Sequence, residues 1–208
     1  MGPNHMPCAD KTLEFWFDFG SNYSYLAMMR AEAIARQDGV ALVLKPFLLG
    51  PIFKSFGWDS SPFVLQKLKG DYTWRDMERQ CAKYGLPWTR PTAFPRRALL
   101  PLRVALLNAE QPWVWEFCKQ VMHANFVLDR DIDDVQLVAD ILTSLALPAP
   151  QLIGDAQSDA AKAALRAQTE QAAARGIFGA PTMFVGDELF WGNDRLDDAV
   201  AFAASQGR

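Results

Sequence analysis

The sequence predicts an α/β fold carrying an inserted all-helical segment, on three observations. The chain opens with a strand–helix–strand pattern and closes with a strand–strand–helix pattern. Between them it shows only helical periodicity, broken by proline and glycine. Parallel strands need a long crossover, usually a helix, so the opening alone marks an α/β chain.

Each element follows from local chemistry. Leu13 to Phe19 is apolar or aromatic except at Glu14 and Asp18, as a short buried strand would be. Gly20 and Ser21 break it. Tyr23, Leu26, Ala27, Arg30 and Ile34 then recur at three- and four-residue steps, predicting a helix with one inward face that ends at Gly39. Val40 to Leu44 forms the second strand, ended by Lys45-Pro46. Helices are predicted over Trp74 to Tyr84, stopped by Gly85 and Pro87, and over Arg96 to Asn108, where Pro101 is tolerable only near a first turn. Two more run over Pro112 to Phe126 and Asp133 to Leu145, the latter led by aspartates that suit the positive end of a helix dipole. Ser158 is placed to cap an alanine-rich helix running to Arg175, with Gly176 suited to a left-handed conformation behind it. Thr182 to Val185 and Leu189 to Trp191 flank Gly186-Asp187, a tight-hairpin signature, and Arg195 to Ser205 supplies the last helix. The expected organisation is a discontinuous α/β domain, residues 12–50 and 158–208, holding a helical insertion at 51–157.

Composition excludes several function classes. At 208 residues, with 50% hydrophobic and 22% charged residues and a mean hydropathy of -0.06, the chain can bury a core and is neither disordered nor membrane-spanning. A net charge of -3 leaves no lysine and arginine excess to gather phosphate backbones, so nucleic acid is not an expected partner. Met1 to Lys11 holds no apolar run that would serve as a secretory signal, and a cytoplasmic location is expected. Cys8, Cys81 and Cys118 are odd in number and scattered, which fits neither a disulfide framework nor a zinc site. Cys81 and Cys118 read as packing residues on helices, and Cys8 lies in the N-terminal tail. His5 and His123 have no evident partners, so no metal is expected.

Gly179-Ala180-Pro181-Thr182 stands directly before the third strand, and Gly20-Ser21 directly after the first. With the βαβ and ββα ends, this resembles the thioredoxin fold, its insertion placed as in periplasmic disulfide oxidoreductases. The resemblance implies a cis peptide between Ala180 and Pro181. In redox relatives the turn after the first strand carries Cys-x-x-Cys at a helix N-terminus, where partial positive charge stabilises a thiolate. Here the turn reads Ser21-Asn22-Tyr23-Ser24. A hydroxyl cannot form a disulfide, so thiol–disulfide exchange is excluded at that place. Ser21 can still donate a hydrogen bond to a thiolate that a ligand brings, and glutathione is the abundant cytoplasmic candidate. A plain helix N-cap is the competing reading of the same serine.

Three segments make the resemblance specific: Phe17 to Leu26, Phe178 to Phe184, and Trp191 to Leu196. They resemble the 2-hydroxychromene-2-carboxylate isomerases, close kin of the kappa-class glutathione transferases, over about Leu13 to Phe202. The resemblance implies a glutathione-dependent isomerase of aromatic catabolites, with Ser21 bonding the glutathione sulfur. It also implies main-chain pairing of the cysteinyl part beside Pro181 through Ala180, and reception of the γ-glutamyl end by Asn193, Asp194 and Arg195. Helix capping alone would equally explain Asn193 or Asp194. Gly50 to Lys54 and Lys69 to Tyr72 also look familial. Lys54 is a candidate for a glutathione or substrate carboxylate, and one of Arg96 and Arg97 for clamping a carboxylate; a solvated lysine and exposed helix-end arginines are the competing readings. Phe19, Tyr23, Phe53 and Trp58 are the candidate aromatic contacts. Asn22 stands where the family carries proline, and Trp58 about where kappa transferases place asparagine. Relatives are commonly dimeric, so a homodimer is expected. A kappa-like transferase that keeps the conjugate as product, and a noncatalytic ligand-binding protein, are the alternatives.

Overall fold

The computed structural model describes residues 11–206, so the readings of Cys8 and His5 lie outside the described residues. Strands β1 (Thr12–Phe17), β2 (Ala41–Pro46), β3 (Thr182–Val185) and β4 (Glu188–Trp191) form one sheet in the order β2-β1-β3-β4. β1 and β2 are parallel, joined through helix α1 (Asn22–Asp38); β1–β3 and β3–β4 are antiparallel. Gly186, at φ 60°, turns the β3–β4 hairpin.

Helices α2 (Leu49–Ser55), α3 (Pro62–Leu65), α4 (Lys67–Tyr84), α5 (Leu99–Leu107), α6 (Val114–Phe126), α7 (Val135–Ser144) and α8 (Ala149–Gln157) follow β2. Next come α9 (Asp159–Ala174), strands β3 and β4, a 3-10 turn at Asn193–Arg195 and helix α10 (Leu196–Ser205).

β1 is central and buries large apolar side chains on both faces. Leu13, Phe15 and Phe17 enter a large core shared with α1 and α10, continuous with the buried residues of α4 to α8. Trp16 points the other way, into a smaller core with Phe47, Ile52, Ala172, Ile177 and Phe184. The two-residue strand period thus feeds two layers of packing, and helices cover the sheet on either side.

Several boundaries differ from the expectation. β1 ends at Phe17 rather than Phe19 because Asp18 turns the chain: its carbonyl accepts the Ser21 N–H at 3.0 Å and its carboxylate accepts the Gly20 N–H at 2.8 Å. α4 begins at Lys67, seven residues before the predicted Trp74. Its first turns fold back on α3, where a Cβ on Gly70 would lie 2.1 Å from the Phe63 carbonyl oxygen. α5 starts at Leu99, since the segment holding Arg96 is a loop with a cis Phe94–Pro95 peptide. α2, α3 and α8 were not expected; they are 7, 4 and 9 residues long, too short for a convincing period, and α2 carries Gly50-Pro51.

Other local readings hold. Ser158 caps α9, accepting from Ala161 N–H, and the Asp134 carboxylate caps α7. Cys81 and Cys118 are buried, free thiols on helices. Burial pushes the Cys81 thiol up to about 11 and the Cys118 thiol well above its usual value, so both are inert packing groups. Among the described residues, no helix is long and apolar enough to cross a membrane.

Candidate functional site

The end of β1, the start of α1 and the turn before β3 meet at a cavity of about 470 Å³, a size that suits a small organic ligand. The β1–α1 junction contributes Asp18, Gly20, Ser21, Asn22 and Tyr23. Gly179, Ala180, Trp191 and Gly192 come from the start of β3 and the end of β4, at the same end of the sheet as the end of β1, while Phe53, Phe63, Lys69, Tyr72, Thr73 and Arg97 come from the helical segment.

Ser21 is only 8% exposed and serves as the N-cap of α1. Its Oγ accepts the Ser24 N–H at 3.2 Å and donates to the Ala180 carbonyl at 2.8 Å. The cap reading and the placement beside Pro181 are therefore both present in one side chain. The Ala180–Pro181 peptide is cis. A hydroxyl rotates about its C–O bond, so the proton now given to Ala180 is free to turn toward an anion in the cavity. Asn22 and Ala180 line the same cavity, and their main-chain N–H groups make no hydrogen bond among the described residues. Positive helix end, hydroxyl and unpaired N–H groups together favour a negatively charged ligand atom. Asn22 is 1% exposed; its Oδ1 accepts the Tyr23 N–H at 3.0 Å while its buried Nδ2 has no partner.

Asp18 organises this corner, a role not assigned from sequence although the residue sits inside the Phe17 to Leu26 motif. Its Oδ1 accepts from Gly20 N–H and its Oδ2 from Leu49 N–H, both at 2.8 Å, tying the Ser21 turn to the start of α2. Burial raises its pKa above the usual carboxylate value, partly countered by those two N–H donors. A carboxyl with a raised pKa binds protons more readily folded than unfolded, so its contribution to stability falls as pH rises above the usual carboxylate range. Asp18→Asn is expected to flatten that decline, read as the denaturation midpoint followed from about pH 4 upward through neutrality; an unchanged slope over that range contradicts this account of Asp18.

The remaining candidates divide. Phe53 borders the cavity, and so does Tyr23, whose hydroxyl donates to Asp76 Oδ2 at 2.8 Å. Phe19 is not a ligand contact: it is fully buried and packs edge-on against Phe17 in the large core. The Arg96 guanidinium is not free to clamp a carboxylate. Its side chain is 8% exposed and spends its N–H groups on Asn125, Thr92 and Asp129. Arg97 is exposed, borders the cavity and makes no ion pair or side-chain hydrogen bond among the described residues. Lys54 and Trp58 are exposed and lie outside the cavity lining; Trp58 packs on Phe53 and Phe56.

Asn193, Asp194 and Arg195 form the 3-10 turn one step past the cavity-lining Gly192. The Asn193 side chain is taken up by Arg30, at 2.9 Å, and the Arg195 N–H by the Gly192 carbonyl, at 3.1 Å. Asp194 remains exposed beside Arg195 and close to Gly192, where a Cβ would fall 2.6 Å from its Oδ1. Phe63, Thr73 and Phe178 also border the cavity and were not assigned from sequence, although Phe178 opens the Phe178 to Phe184 motif; Phe63 and Thr73, on unpredicted helical turns, have no motif to announce them.

Sheet order, cis-proline turn and a polar cap at the first helix define a thioredoxin-class protein whose redox pair is replaced by a hydroxyl. The model of the DSBA-like thioredoxin domain matches residues 12–202. A 2-hydroxychromene-2-carboxylate isomerase of Sphingobium xenophagum is 35% identical, over 90% of this chain and 95% of its own. The solved structure of a selenomethionine 2-hydroxychromene-2-carboxylate isomerase superposes with a TM-score of 0.84 at 27% identity, covering 93% of this chain and 95% of that one. A kappa 2 glutathione S-transferase of Caenorhabditis elegans is more distant, at 24% identity over 93% of this chain and 92% of its own. The chain belongs to the DSBA-like thioredoxin domain family, within its 2-hydroxychromene-2-carboxylate isomerase group, which is related to the kappa glutathione transferases.

Proposed function

We propose that the chain is a glutathione-dependent isomerase of 2-hydroxychromene-2-carboxylate-type aromatic carboxylates. The observation that carries this reading is Ser21: a hydroxyl at the start of α1, beside the unpaired N–H groups of Asn22 and Ala180, in a cavity otherwise lined largely by aromatic and aliphatic groups. These groups fit a bound thiol. When present, glutathione supplies a thiolate that adds reversibly to a conjugated double bond, which then turns as a single bond before the thiolate leaves.

The chain's own residues divide the remaining work. Ser21 Oγ donates to the sulfur and holds it as thiolate, assisted by the helix end. The Ala180 N–H pairs with the cysteinyl main chain, as an added strand would. Asp194, beside the cavity-lining Gly192, is placed to meet the γ-glutamyl ammonium, while the main-chain N–H groups of Asn193 and Asp194 receive its carboxylate. Arg97 holds the substrate carboxylate, and Phe53 and Phe63 pack the aromatic ring. Lys54 is too far out to border the cavity and is assigned no step.

The test is to mix purified protein, glutathione and 2-hydroxychromene-2-carboxylate and to follow both product and thiol. Isomer should accumulate over many turnovers with glutathione undiminished. Stoichiometric consumption of glutathione would instead identify a kappa-like transferase, and isomerisation at the same rate without glutathione would remove the thiolate step. The arginines give a second check. Arg97→Ala is expected to raise KM on the order of tenfold or more with little change in melting temperature, as loss of one charged hydrogen-bond partner does. Arg96→Ala should instead lower the melting temperature, because it strips partners from Asn125 and Asp129.

A further inference from the structure

Tyr23 presents an oriented hydrogen-bond acceptor to the cavity. It lies on the first turn of α1, its ring held edge-to-face by Phe63 with centroids 6.0 Å apart. Its hydroxyl reaches α4, where Asp76 Oδ2 accepts it at 2.8 Å and Gln80 Nε2 steadies Asp76 Oδ1 at 3.2 Å. A carboxylate only accepts, so the phenol proton is committed to Asp76; the Thr73 hydroxyl lies beside the phenol oxygen, which has a second lone pair to offer. Tyr72 and Thr73, neighbours of Asp76 along α4, border the same cavity, so this end of Tyr23 lies at its wall. Burial, then the Asp76 hydrogen bond and charge, keep the phenol protonated far above neutral pH. Tyr23 is therefore a fixed neutral acceptor rather than a base.

We infer that Tyr23, oriented by Asp76, accepts a hydrogen bond from a phenolic hydroxyl on the substrate ring, so that the cavity selects ortho-hydroxyaryl carboxylates over O-methylated analogues. The inference rests on the isomerase reading above. A 2-hydroxychromene is a cyclic hemiketal; breaking its ring C–O bond, with the hemiketal proton passing to the aryl oxygen, yields a phenol and a 2-oxo acid. The phenol is the one polar group on the ring end of that molecule. A site built around such a group rejects an analogue that cannot donate, because the acceptor is left unpaired.

Calorimetric titration with 2-hydroxycinnamate and 2-methoxycinnamate, without turnover, tests this directly. Wild-type protein should bind the hydroxylated ligand on the order of tenfold more tightly. Tyr23→Phe should erase that preference, and Asp76→Asn should weaken it, since an amide can donate to the phenol oxygen and turn its proton around. The inference is overturned if wild-type protein binds the pair equally, binds neither, or if Tyr23→Phe keeps the wild-type preference. Glutathione is titrated separately into wild-type protein: its failure to bind would sink the isomerase reading, whereas binding without a hydroxyl preference would sink only the role of Tyr23.

Discussion

Replacing Ser21 by alanine is expected to lower kcat/KM about 10²–10³-fold, the range seen when one preorganised donor to a developing or resting anion is removed. The fold should survive, because the lost N-cap costs only about 1 kcal/mol of helix stability. The Ala180 carbonyl also loses its donor, and the cavity can offer it water in exchange. What separates donor from cap is the state of the bound thiol. If Ser21 only capped α1, the substitution would shift the melting temperature and leave thiol ionisation alone. As a donor, its removal must raise the pKa of bound glutathione. Turnover near the wild-type rate in a folded Ser21→Ala protein would sink the role assigned to it.

Gly20→Ala should have an effect of similar size by a different route. A Cβ at that position would sit 2.8 Å from the Arg96 carbonyl oxygen and 3.5 Å from Pro95 Cβ. The opposing oxygen belongs to main chain that cannot swing aside, because the Arg96 side chain is anchored to Asn125 and Asp129 and Asn125 Nδ2 itself donates to the Phe19 carbonyl at 2.9 Å. Overpacking of this kind costs about 1–3 kcal/mol. The displaced turn carries Ser21, and an error of about 1 Å in a reacting group can cost about 10² in rate. Thermal melting paired with steady-state kinetics reads both effects. Unchanged values for each would mean that the junction yields more easily than its contacts imply.

The sheet was legible because its strands carry strong local signals. Leu13 to Phe17 is apolar or aromatic except at Glu14, and Gly186-Asp187 fits one kind of turn. Ser21 was legible as a place as well as a residue, since the end of β1 and the Gly179 to Thr182 segment each point to the same corner. The helical segment was harder. α2, α3 and the first turns of α4 mix exposed apolar and charged side chains, among them Leu65, Leu68 and Tyr72, so no 3.6-residue period emerges. The roles of neighbouring residues were hardest of all. Phe19 and Phe53 look alike in sequence, yet one is core and the other borders the cavity, because the turn at Asp18 sends the Phe19 ring inward. Arg96 and Arg97 are likewise adjacent and chemically identical. Asn125 and Asp129, distant in sequence, claim the first and leave the second free.

The most direct test of the proposed activation is the ionisation of glutathione bound to the protein, followed as thiolate absorbance during a pH titration. The bound thiol should ionise with a pKa lowered from about 8.5 toward about 7, as thiols at helix N-termini do, and Ser21→Ala should return it most of the way. A titration curve for glutathione that is the same with and without the protein, at concentrations where binding is established, would contradict the account.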